Sequence, residues 1–562
     1  MKIILFVIIV GFIHPYSTIA QNQIMIPDTL SGNVIDLNIQ NGTKQFYSNY
    51  NTNTIGYNGN HLGPTIILNR GQTVTLNVHN QLADTTTTHW HGLHVAPMDD
   101  GSPHTPINAG NTWSPDFTVM DKAALYWYHP HLHGKTLKQV VKGAAGLIIV
   151  RDEEESNLNL PRTYGIDDIP LVFQFLTFDN TTKQIVENDE LDNAVLVNGT
   201  IDGFVNCPAQ VVRLRLLNGS SHRVFRFGFE NNQPFYQIGS DDGLLNASIS
   251  MTRLNLGSGE RAEILVNLSD LQGSTLNLKT FGNELPTGYP GGASMMGMQT
   301  GPLDNISFKV LQINVVPPTS NPVTSIPAML TSNIIWSQSG ATTRNMAITA
   351  QPMMSMDNFF INGSQFDEDI INFTTDESNT EIWNITNQTM MAHPFHIHGN
   401  HFYVLQVNGS APPPNMLGRK DVVIVPPMGG SVKLITKYED FSDPEMPYMY
   451  HCHILSHEDK GMMGQFVVHP STATQNLDDL NADIQISPNP ANISFQLKAS
   501  LPSSKKVEVR VFDVLGRQIT SDFFNETMNI DLTMDCSAWT TGIYTVKIVQ
   551  DGKSKTVKFL KQ

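Results

Sequence analysis

The sequence predicts an all-β protein built from several β-sandwich domains. Apolar and polar residues alternate with a period of two in many short segments, among them Thr73–His79, Val211–Leu217 and Val432–Thr436. Gly, Pro, Asn and Asp separate these segments at short intervals, as turns separate antiparallel strands. The sequence contains no long amphipathic helical pattern. A chain of 562 residues is too long for one sandwich of about 100 to 150 residues, so we expect three or four domains.

The first element is an apolar run at the N-terminus. Ile3–Ile13 follows Lys2, and the small residues Thr18 and Ala20 have the spacing of a signal-peptidase site. We therefore predict a secretory signal peptide over residues 1–20, with an uncleaved anchor as the alternative. No later stretch reaches about 18 apolar residues without a charge, so we expect a secreted or cell-surface protein with no transmembrane segment in the mature chain.

Changes in composition divide the rest of the chain. Boundaries lie near residues 151–161, in the Pro-rich stretch 316–327 and in a polar stretch before residue 484. The predicted domains are 21–155, 156–320 and 321–470, followed by a linker over 471–483 and a last domain over 484–562. This last domain carries ten Lys and Arg against seven Asp and Glu, whereas the whole chain has a net charge of -17. It is therefore a separate unit by composition.

Charge and cysteine content exclude two classes of protein. The chain has 34 Lys and Arg against 51 Asp and Glu, a balance that repels phosphate backbones, so we expect no nucleic-acid partner. Three cysteines in 562 residues cannot form a disulfide framework, and their odd number leaves at least one thiol free.

Histidines are concentrated in four short segments. Ten of the 19 histidines lie in these segments, which are His89–His91, His129–His131, His393–His398 and His451–His457. Histidines at positions i and i+2 of a strand point to the same face, so each His-x-His pair presents two imidazoles together. A single such pair is more often a surface pair or contains a core histidine, but four pairs in one chain predict a metal cluster. Two segments lie in the first predicted domain and two in the third, so the cluster would form where these domains meet.

The segment His451–Met463 (HCHILSHEDKGMM) predicts a second, mononuclear metal site. In an extended backbone His451 and His453 point to one face and Cys452 to the other, so adjacent residues can bind different metal centres. His457 and Met462 follow Cys452 at +5 and +10. With His393 they would complete a set of two imidazoles, a thiolate and a weak thioether, which is typical of blue-copper electron-transfer sites. Structural zinc sites favour paired cysteines, which this segment lacks.

These segments, in this order and at this spacing, resemble those of the multicopper oxidases, the family of laccases, bilirubin oxidases and bacterial cuprous oxidases. The resemblance covers about residues 25–470 and implies three cupredoxin-like Greek-key β-sandwich domains. It implies four copper ions per chain. The type 1 copper would be bound by His393, Cys452, His457 and Met462, and the type 2 copper by His89 and His396. The two type 3 coppers would be bound by His91, His129 and His453 and by His131, His398 and His451.

The resemblance also implies an oxidase mechanism. A donor would be oxidised at the type 1 copper, electrons would pass through Cys452 to His451 or His453, and O₂ would be reduced to two water molecules. Asp100 and Glu458 match acidic positions that supply protons in the family. Taken alone, Asp100 could be a turn former and Glu458 a solvated carboxylate.

The sequence defines the donor less well. Methionines that could bind Cu(I), or that could simply fill gaps, are Met295, Met296, Met298, Met353, Met354, Met356, Met390 and Met391. Met391 matches a substrate-copper position of the bacterial cuprous oxidase, but Thr389 stands where that enzyme has an aspartate, and its Met- and His-rich insertion is missing. We therefore expect an open, laccase-like edge that accepts phenolic or other aromatic donors. Cuprous-ion oxidation and bilirubin oxidation are the alternatives, and a non-catalytic copper-binding protein is less favoured.

The last predicted domain resembles another family. Its motifs are Ile484–Pro490 (IQISPNP), Val511–Arg517 (VFDVLGR), Gly542–Tyr544 and a basic C-terminal end. They resemble the type A sorting domain of type IX secretion, which implies a small immunoglobulin-like β-sandwich that the secretion machinery recognises. A carbohydrate- or surface-binding module is the alternative.

Overall fold

The computed structural model describes residues 22–187, 191–294, 300–351, 358–470, 480–514, 517–550 and 553–562. Strands form seven sheets within these ranges, so the predicted all-β fold is confirmed. The chain divides into two compact units, one up to Pro470 and one from Ser471. The predicted signal peptide and residues 471–479 of the predicted linker lie outside the described residues. The domain boundaries drawn from the sequence stay predictions.

The first sandwich consists of two five-stranded sheets, ordered β2-β5-β11-β10-β7 and β4-β3-β6-β8, the second completed by β9 on β6. The strands up to residue 151 are β1 (Asn22–Gln23), β2 (Thr29–Ser31), β3 (Val34–Tyr47), β4 (Tyr50–Tyr57), β5 (Thr65–Asn69), β6 (Thr73–Asn80), β7 (His89–His91), β8 (Thr112–Trp113), β9 (Asp116–Thr118), β10 (Ala124–His129) and β11 (Gly146–Arg151). Strand β6 buries one face, as its alternating sequence predicts, whereas β10 is buried on both. The helices are α1 (Thr136–Val141), α2 (Glu153–Ser156) and a 3₁₀ turn at Pro97–Asp99.

The second sandwich pairs a seven-stranded sheet, β14-β13-β12-β16-β21-β18-β19, with a six-stranded sheet, β1-β15-β23-β22-β17-β20. Its further strands are β12 (Asp168–Leu176), β13 (Ala194–Val197), β14 (Thr200–Ile201), β15 (Gly203–Pro208), β16 (Val211–Asn218), β17 (Phe225–Phe229), β18 (Phe235–Ser240), β19 (Gly243–Met251), β20 (Leu254–Leu256), β21 (Arg261–Asn267), β22 (Thr275–Phe281) and β23 (Ser307–Val316), with a 3₁₀ turn at Gly282–Glu284. Strand β1 comes from the start of the chain and pairs in parallel with β15. The first described residues are therefore tied to the second sandwich.

The third sandwich again has two five-stranded sheets, β25-β24-β27-β31-β29 and β26-β33-β32-β28-β30. Its strands are β24 (Thr342–Ala350), β25 (Phe359–Ile361), β26 (Phe373–Asp376), β27 (Thr380–Asn387), β28 (His393–Ile397), β29 (Phe402–Val407), β30 (Val422–Val425), β31 (Gly430–Lys437), β32 (Asp443–Cys452) and β33 (Met463–His469), with a 3₁₀ turn at Pro414–Met416 and α3 (Leu455–Asp459). Strand β28 and the C-terminal half of β32 are buried on both faces. Side chains at the ends of these strands therefore lie inside the protein.

The C-terminal unit is built from long strands around its own apolar core. They are β34 (Asp483–Ser487), β35 (Ser494–Phe512), β36 (Gln518–Asp535), β37 (Gly542–Gln550) and β38 (Lys553–Lys561). The order is β34-β35-β37-β38, with β36 paired to β35. Phe495, Val509 and Phe559 belong to a buried cluster of this unit alone. Among the described residues, no helix has the length and apolar character needed to cross a membrane.

Candidate metal centre

Strand pairing brings the histidine segments together. Strands β7 and β10 pair so that His89 stands opposite His129. In the third sandwich, β28 and β32 pair so that His396 stands opposite His451. Ring contacts then join the two sandwiches, because His89 stacks on His398 with ring centroids 3.9 Å apart. The two ends of the 22–470 segment thus form one buried cluster of imidazoles.

A mononuclear group surrounds the thiol of Cys452. The Sγ atom lies 3.4 Å from His393 Nδ1 and 3.7 Å from His457 Nδ1, and the Ile454 N–H donates to it at 3.4 Å. The side chains of His393, Cys452 and His457 are all buried. Burial lowers the pKa of His393 to about 3 and that of His457 well below its usual value, so both imidazoles are neutral and can bind a metal.

Met462 belongs to the same buried core as Cys452. Its carbonyl oxygen accepts a hydrogen bond from the Cys452 N–H at 3.1 Å, and its own N–H donates to the His457 carbonyl at 2.8 Å. These bonds fix the backbone of Met462 beside both residues. The neighbouring Met463 begins β33 and pairs with His451.

Three imidazoles form a tight triad on one side of the cluster. His451 Nε2 lies 3.0 Å from His131 Nε2 and 3.2 Å from His398 Nε2, and all three rings are buried. The Nδ1–H of His451 donates to the Cys452 carbonyl at 3.0 Å and the Nδ1–H of His398 to Asp100 Oδ2 at 2.7 Å, so the Nε2 atoms of both rings carry no proton. Their lone pairs point into the space that His131 Nε2 also faces, as those of metal ligands do.

The remaining imidazoles form a second triad and a pair. His91, His129 and His453 converge, with His91 Nδ1 3.3 Å from His129 Nε2. His89 and His396 have ring centroids 5.8 Å apart. The Nε2 atoms of His89, His396 and His453 are buried and have no hydrogen-bond partner. Such orphaned atoms are costly unless an absent ligand satisfies them.

Protein acceptors hold the opposite nitrogens of most of these rings. The Nδ1–H groups of His89, His129 and His396 donate to the carbonyl oxygens of Asp100, Pro130 and Asp421, each at 2.8 Å. Fixing Nδ1–H in this way presents a bare Nε2 to the centre of the cluster. The cluster donors are therefore neutral, pre-oriented imidazoles, which fit copper, and the single thiol of Cys452, once deprotonated by a metal, would fit a blue-copper site.

Two buried carboxylates contact the cluster. Asp100 Oδ2 accepts from His398 Nδ1 at 2.7 Å, and Oδ1 lies 3.4 Å from His89 Nδ1. The Glu458 oxygens lie 3.6 Å from His131 Nδ1 and 3.3 Å from His451 Nδ1. Burial raises the pKa of Glu458 well above its usual value. Both side chains are buried, so Asp100 is not simply an exposed turn former and Glu458 is not a solvated carboxylate.

An ion pair between the second and third sandwiches was missed by sequence reasoning. The Arg261 guanidinium donates two 2.6 Å hydrogen bonds to the Asp421 carboxylate, and Asp421 Oδ1 lies 3.3 Å from His91 Nε2. Arg261 and Asp421 are both buried, and the Arg261 N–H groups also reach Asp241. The middle sandwich therefore supports the cluster, although it contributes no histidine to it.

The donor edge of the mononuclear group is less open than the sequence led us to expect. His393 is fully buried, with Phe359 against its ring and the Thr389 hydroxyl 2.8 Å from Nε2. Met390 and Met391 are half-buried beside it, and Met428, which sequence reasoning missed, is 62% exposed. The predicted methionines of residues 295–298 and 353–356 lie outside the described residues.

The comparisons with known proteins agree with this geometry. Family models for multicopper oxidases match residues 38–155 and 339–472. A multicopper oxidase of Staphylococcus haemolyticus is 36% identical over 440 residues, which cover 77% of this chain and 88% of the relative. The chain belongs to the multicopper oxidase family. It is therefore an oxidoreductase of a copper-dependent family.

Solved multicopper oxidases share the fold. A laccase-like multicopper oxidase, CueO, from Ochrobactrum sp. with oxidase activity towards lignin model compounds is 32% identical, with a TM-score of 0.71 over 79% of this chain and 100% of the other. A Campylobacter jejuni multicopper oxidase, a metallo-oxidase, is 26% identical, with a TM-score of 0.68 over 80% and 96%. These likenesses confirm the predicted cupredoxin-like fold class.

Two further matches bear on role and location. The cell division protein FtsP of Escherichia coli is 30% identical over 461 residues, which cover 80% of this chain and 93% of that protein. A family model for a secretion-system C-terminal sorting domain matches residues 485–562. The resemblance of the tail to a sorting domain is thus confirmed, and it indicates export of this multicopper oxidase to the surface or the medium.

Proposed function

We propose that the protein is a secreted, laccase-like oxidase that couples one-electron oxidation of phenolic or other aromatic donors to four-electron reduction of O₂ to water. One observation carries the proposal. Cys452, in the mononuclear group, is joined by single peptide bonds to His451 and His453, which lie in two different histidine triads. A short covalent path between two metal groups suits an enzyme that takes up electrons at one site and uses them at another.

We assign four copper ions to the four groups. His393, Cys452 and His457, with Met462 as a weak fourth ligand, would hold the mononuclear copper, and His89 and His396 would hold the second ion. The two triads would hold the remaining pair. When bound, the ions would store electrons and bind O₂, chemistry that no side chain supplies. Several metals in one site allow O₂ to be reduced without release of partly reduced oxygen.

The protein's own groups orient the ligands and supply protons. The Asp100 carboxylate holds the Nδ1–H of His398, which directs the Nε2 of that ring into the cluster. We assign proton supply to Asp100 and Glu458, because both carboxyl groups are buried within hydrogen-bonding range of cluster imidazoles. Burial of all the rings excludes bulk water, so protons must arrive through such groups.

The donor we favour is organic. Thr389 places a neutral hydroxyl beside His393, where the bacterial cuprous oxidase has an aspartate. This edge therefore has one anionic ligand fewer for a metal-ion substrate. The Ochrobactrum relative acts on lignin model compounds, which are aromatic. The second candidate is cuprous-ion oxidation, favoured by the thioethers of Met390, Met391 and Met428 near this edge, whose sulfurs suit Cu(I). The Campylobacter jejuni neighbour is a metallo-oxidase.

We further propose that the C-terminal unit is read by type IX secretion machinery and that the oxidase acts outside the cell. A non-catalytic role remains the weaker alternative, although a cell division protein is among the relatives. Against it, all ten cluster and mononuclear histidines and Cys452 are present and buried together. A protein without turnover has no need of every ligand.

The test is O₂ consumption by the copper-loaded protein, with kcat/KM compared for a methoxyphenol, bilirubin and Cu(I). Preference for the methoxyphenol supports the proposal. Preference for Cu(I) or bilirubin makes that alternative the function. Absence of O₂ consumption with all three donors, in protein shown to contain four copper ions per chain, would overturn the enzymatic assignment.

A further inference from the structure

We propose that Thr389, held in place by Asn387, is a positioning residue that fixes the tautomer of His393 and thereby sets its strength as a metal ligand. The inference rests on the proposed mononuclear site and deepens it. Thr389 lies outside the four histidine segments. In the sequence it is notable only because the bacterial cuprous oxidase has an aspartate at this position.

The turn between β27 and β28 is tied by the Asn387 side chain. Asn387 Oδ1 accepts from the Thr389 N–H at 2.9 Å, which identifies it as the oxygen, and the Nδ2 group donates to the Met391 carbonyl at 2.7 Å. Nδ2 also reaches the carbonyl oxygen of Val425 on β30 at 3.3 Å. Asn387 is fully buried and Thr389 is 2% exposed, so water does not compete for these bonds. The position of the Thr389 hydroxyl is therefore fixed by the fold.

The hydrogen bonds around the Thr389 hydroxyl leave it able only to accept a hydrogen bond from His393. Its oxygen lies 2.8 Å from Asn387 Oδ1 and 3.0 Å from the Met391 carbonyl oxygen, and both of those atoms are only acceptors. The hydroxyl proton must point toward one of them or be shared. If it pointed at His393 Nε2 instead, two oxygen–oxygen contacts at these distances would contain no proton and would repel. The hydroxyl thus accepts, and His393 Nε2 carries the proton at 2.8 Å.

This tautomer is the one a metal at Cys452 requires. With the proton on Nε2, Nδ1 presents a lone pair, and it faces Cys452 Sγ at 3.4 Å. The other tautomer would place a proton between Nδ1 and the thiol and block a metal there. Phe359 packs against the His393 ring with centroids 5.0 Å apart, so the ring does not turn freely.

His393 is held differently from the cluster histidines. His89, His129 and His396 are fixed through Nδ1 by strong carbonyl acceptors, whereas His393 is fixed through Nε2 by a hydroxyl oxygen. A hydrogen bond to the distal N–H of a ligand imidazole raises its basicity, and an anionic acceptor raises it more. Removing the acceptor should weaken His393 as a ligand for Cu(II) and raise the reduction potential. A carboxylate at this position should lower it.

The experiment uses the full, copper-loaded chain and the variants Thr389→Val, Thr389→Ser and Thr389→Asp. The matched control is Thr436→Val, because Thr436 is an equally buried threonine of the third sandwich whose hydroxyl donates to the His401 carbonyl at 3.0 Å. The measurements are the blue absorption band, the reduction potential of the mononuclear copper and the copper affinity of that site. We expect Thr389→Val to raise the potential and weaken the affinity about 10- to 100-fold. Thr389→Ser and the control should match wild type, and Thr389→Asp should lower the potential.

Two outcomes separate the failure of this inference from that of the proposed function. If wild type shows the blue band but Thr389→Val leaves potential and affinity unchanged, or Thr389→Ser shifts them as much as Thr389→Val, the positioning role is wrong. If copper-loaded wild type shows no blue band, the proposed mononuclear site itself is wrong. Thermal unfolding of each variant tests whether a change reflects loss of folding, since serine and valine preserve most of the volume of threonine.

Discussion

Replacement of Cys452 by serine tests the division of labour between the two kinds of metal group. The hydroxyl of serine is a poor copper ligand, so the mononuclear group keeps only two imidazoles and the weak thioether. The eight cluster histidines are untouched, since none of their groups includes Cys452. We therefore expect copper content to fall by one ion per chain, from four to three, with the blue absorption lost completely.

Turnover with organic donors should be lost together with the blue band. The serine variant keeps the peptide bonds to His451 and His453 but lacks the thiolate that would bind the mononuclear copper, so electrons from the donor would have no entry to that path. The assay is O₂ uptake with a methoxyphenol, alongside metal analysis of the same sample. The matched control is Cys207→Ser, which replaces an equally buried, free thiol of the second sandwich whose pKa burial raises to about 12. This control should keep four copper ions and full turnover.

Retention of more than about a tenth of wild-type turnover in Cys452→Ser would mean less than about 1.4 kcal/mol of lost transition-state stabilisation. That is too little for the loss of the electron path, so the reasoning would be refuted. A copper content of four in this variant would equally contradict the ligand assignment.

Three further predictions concern stability. Glu263→Gln should destabilise the protein by about 3 to 5 kcal/mol in chemical denaturation, because Glu263 is buried between the guanidinium groups of Arg213 and Arg215. The control Glu284→Gln removes a carboxylate whose arginine partners are partly exposed, so it should cost less than about 1 kcal/mol. Equal losses of stability in the two variants would contradict this prediction. Burial lowers the pKa of Lys44 to about 8, so between about pH 8 and 10.5 the unfolded chain binds this proton and the folded chain does not, and stability rises with pH. Lys44→Met should therefore stabilise the protein by up to about 3 kcal/mol at pH 7, with the gain vanishing above about pH 10.5, and a pH-independent difference would argue against the assignment. Removal of copper by a chelator should lower Tm, and copper should restore it, because copper binds the folded state; a Tm independent of copper would show that the imidazole groups do not hold it.

Much of the site could be predicted because its ligands lie in short segments. His89 and His91, or His451 and His453, share a strand, and a period of two places both rings on one face whatever the rest of the fold does. The structure gathers the histidines named from the sequence into compact groups, and their roles as copper ligands stay predictions. The all-β class could be predicted for the same reason, since alternation is a local signal.

The features that sequence reasoning missed depend on contacts between distant residues. Arg261 and Asp421 are 160 residues apart, and each stands alone in an ordinary strand or loop, so no spacing marks them as partners. Strand β1 has two residues and no pattern, and its pairing with β15 follows from the fold. The role of Thr389 depends on a turn whose hydrogen bonds no sequence pattern specifies. Similarly, burial of His393 follows from packing around the turn, which is why an open edge was expected.

The pairing of β7 with β10 and of β28 with β32 has a consequence for the order of biogenesis. Four cluster histidines come from residues 89–131 and four from residues 396–453, and every compact group beyond the mononuclear one mixes both sources. If the histidine groups hold copper as proposed, a nascent chain would not acquire these ions progressively, since the earlier half has no complete group to offer. Loading would wait until synthesis had passed residue 453 and the outer sandwiches had met. Copper in the cluster would then act as a late check that both outer sandwiches have been made and have met.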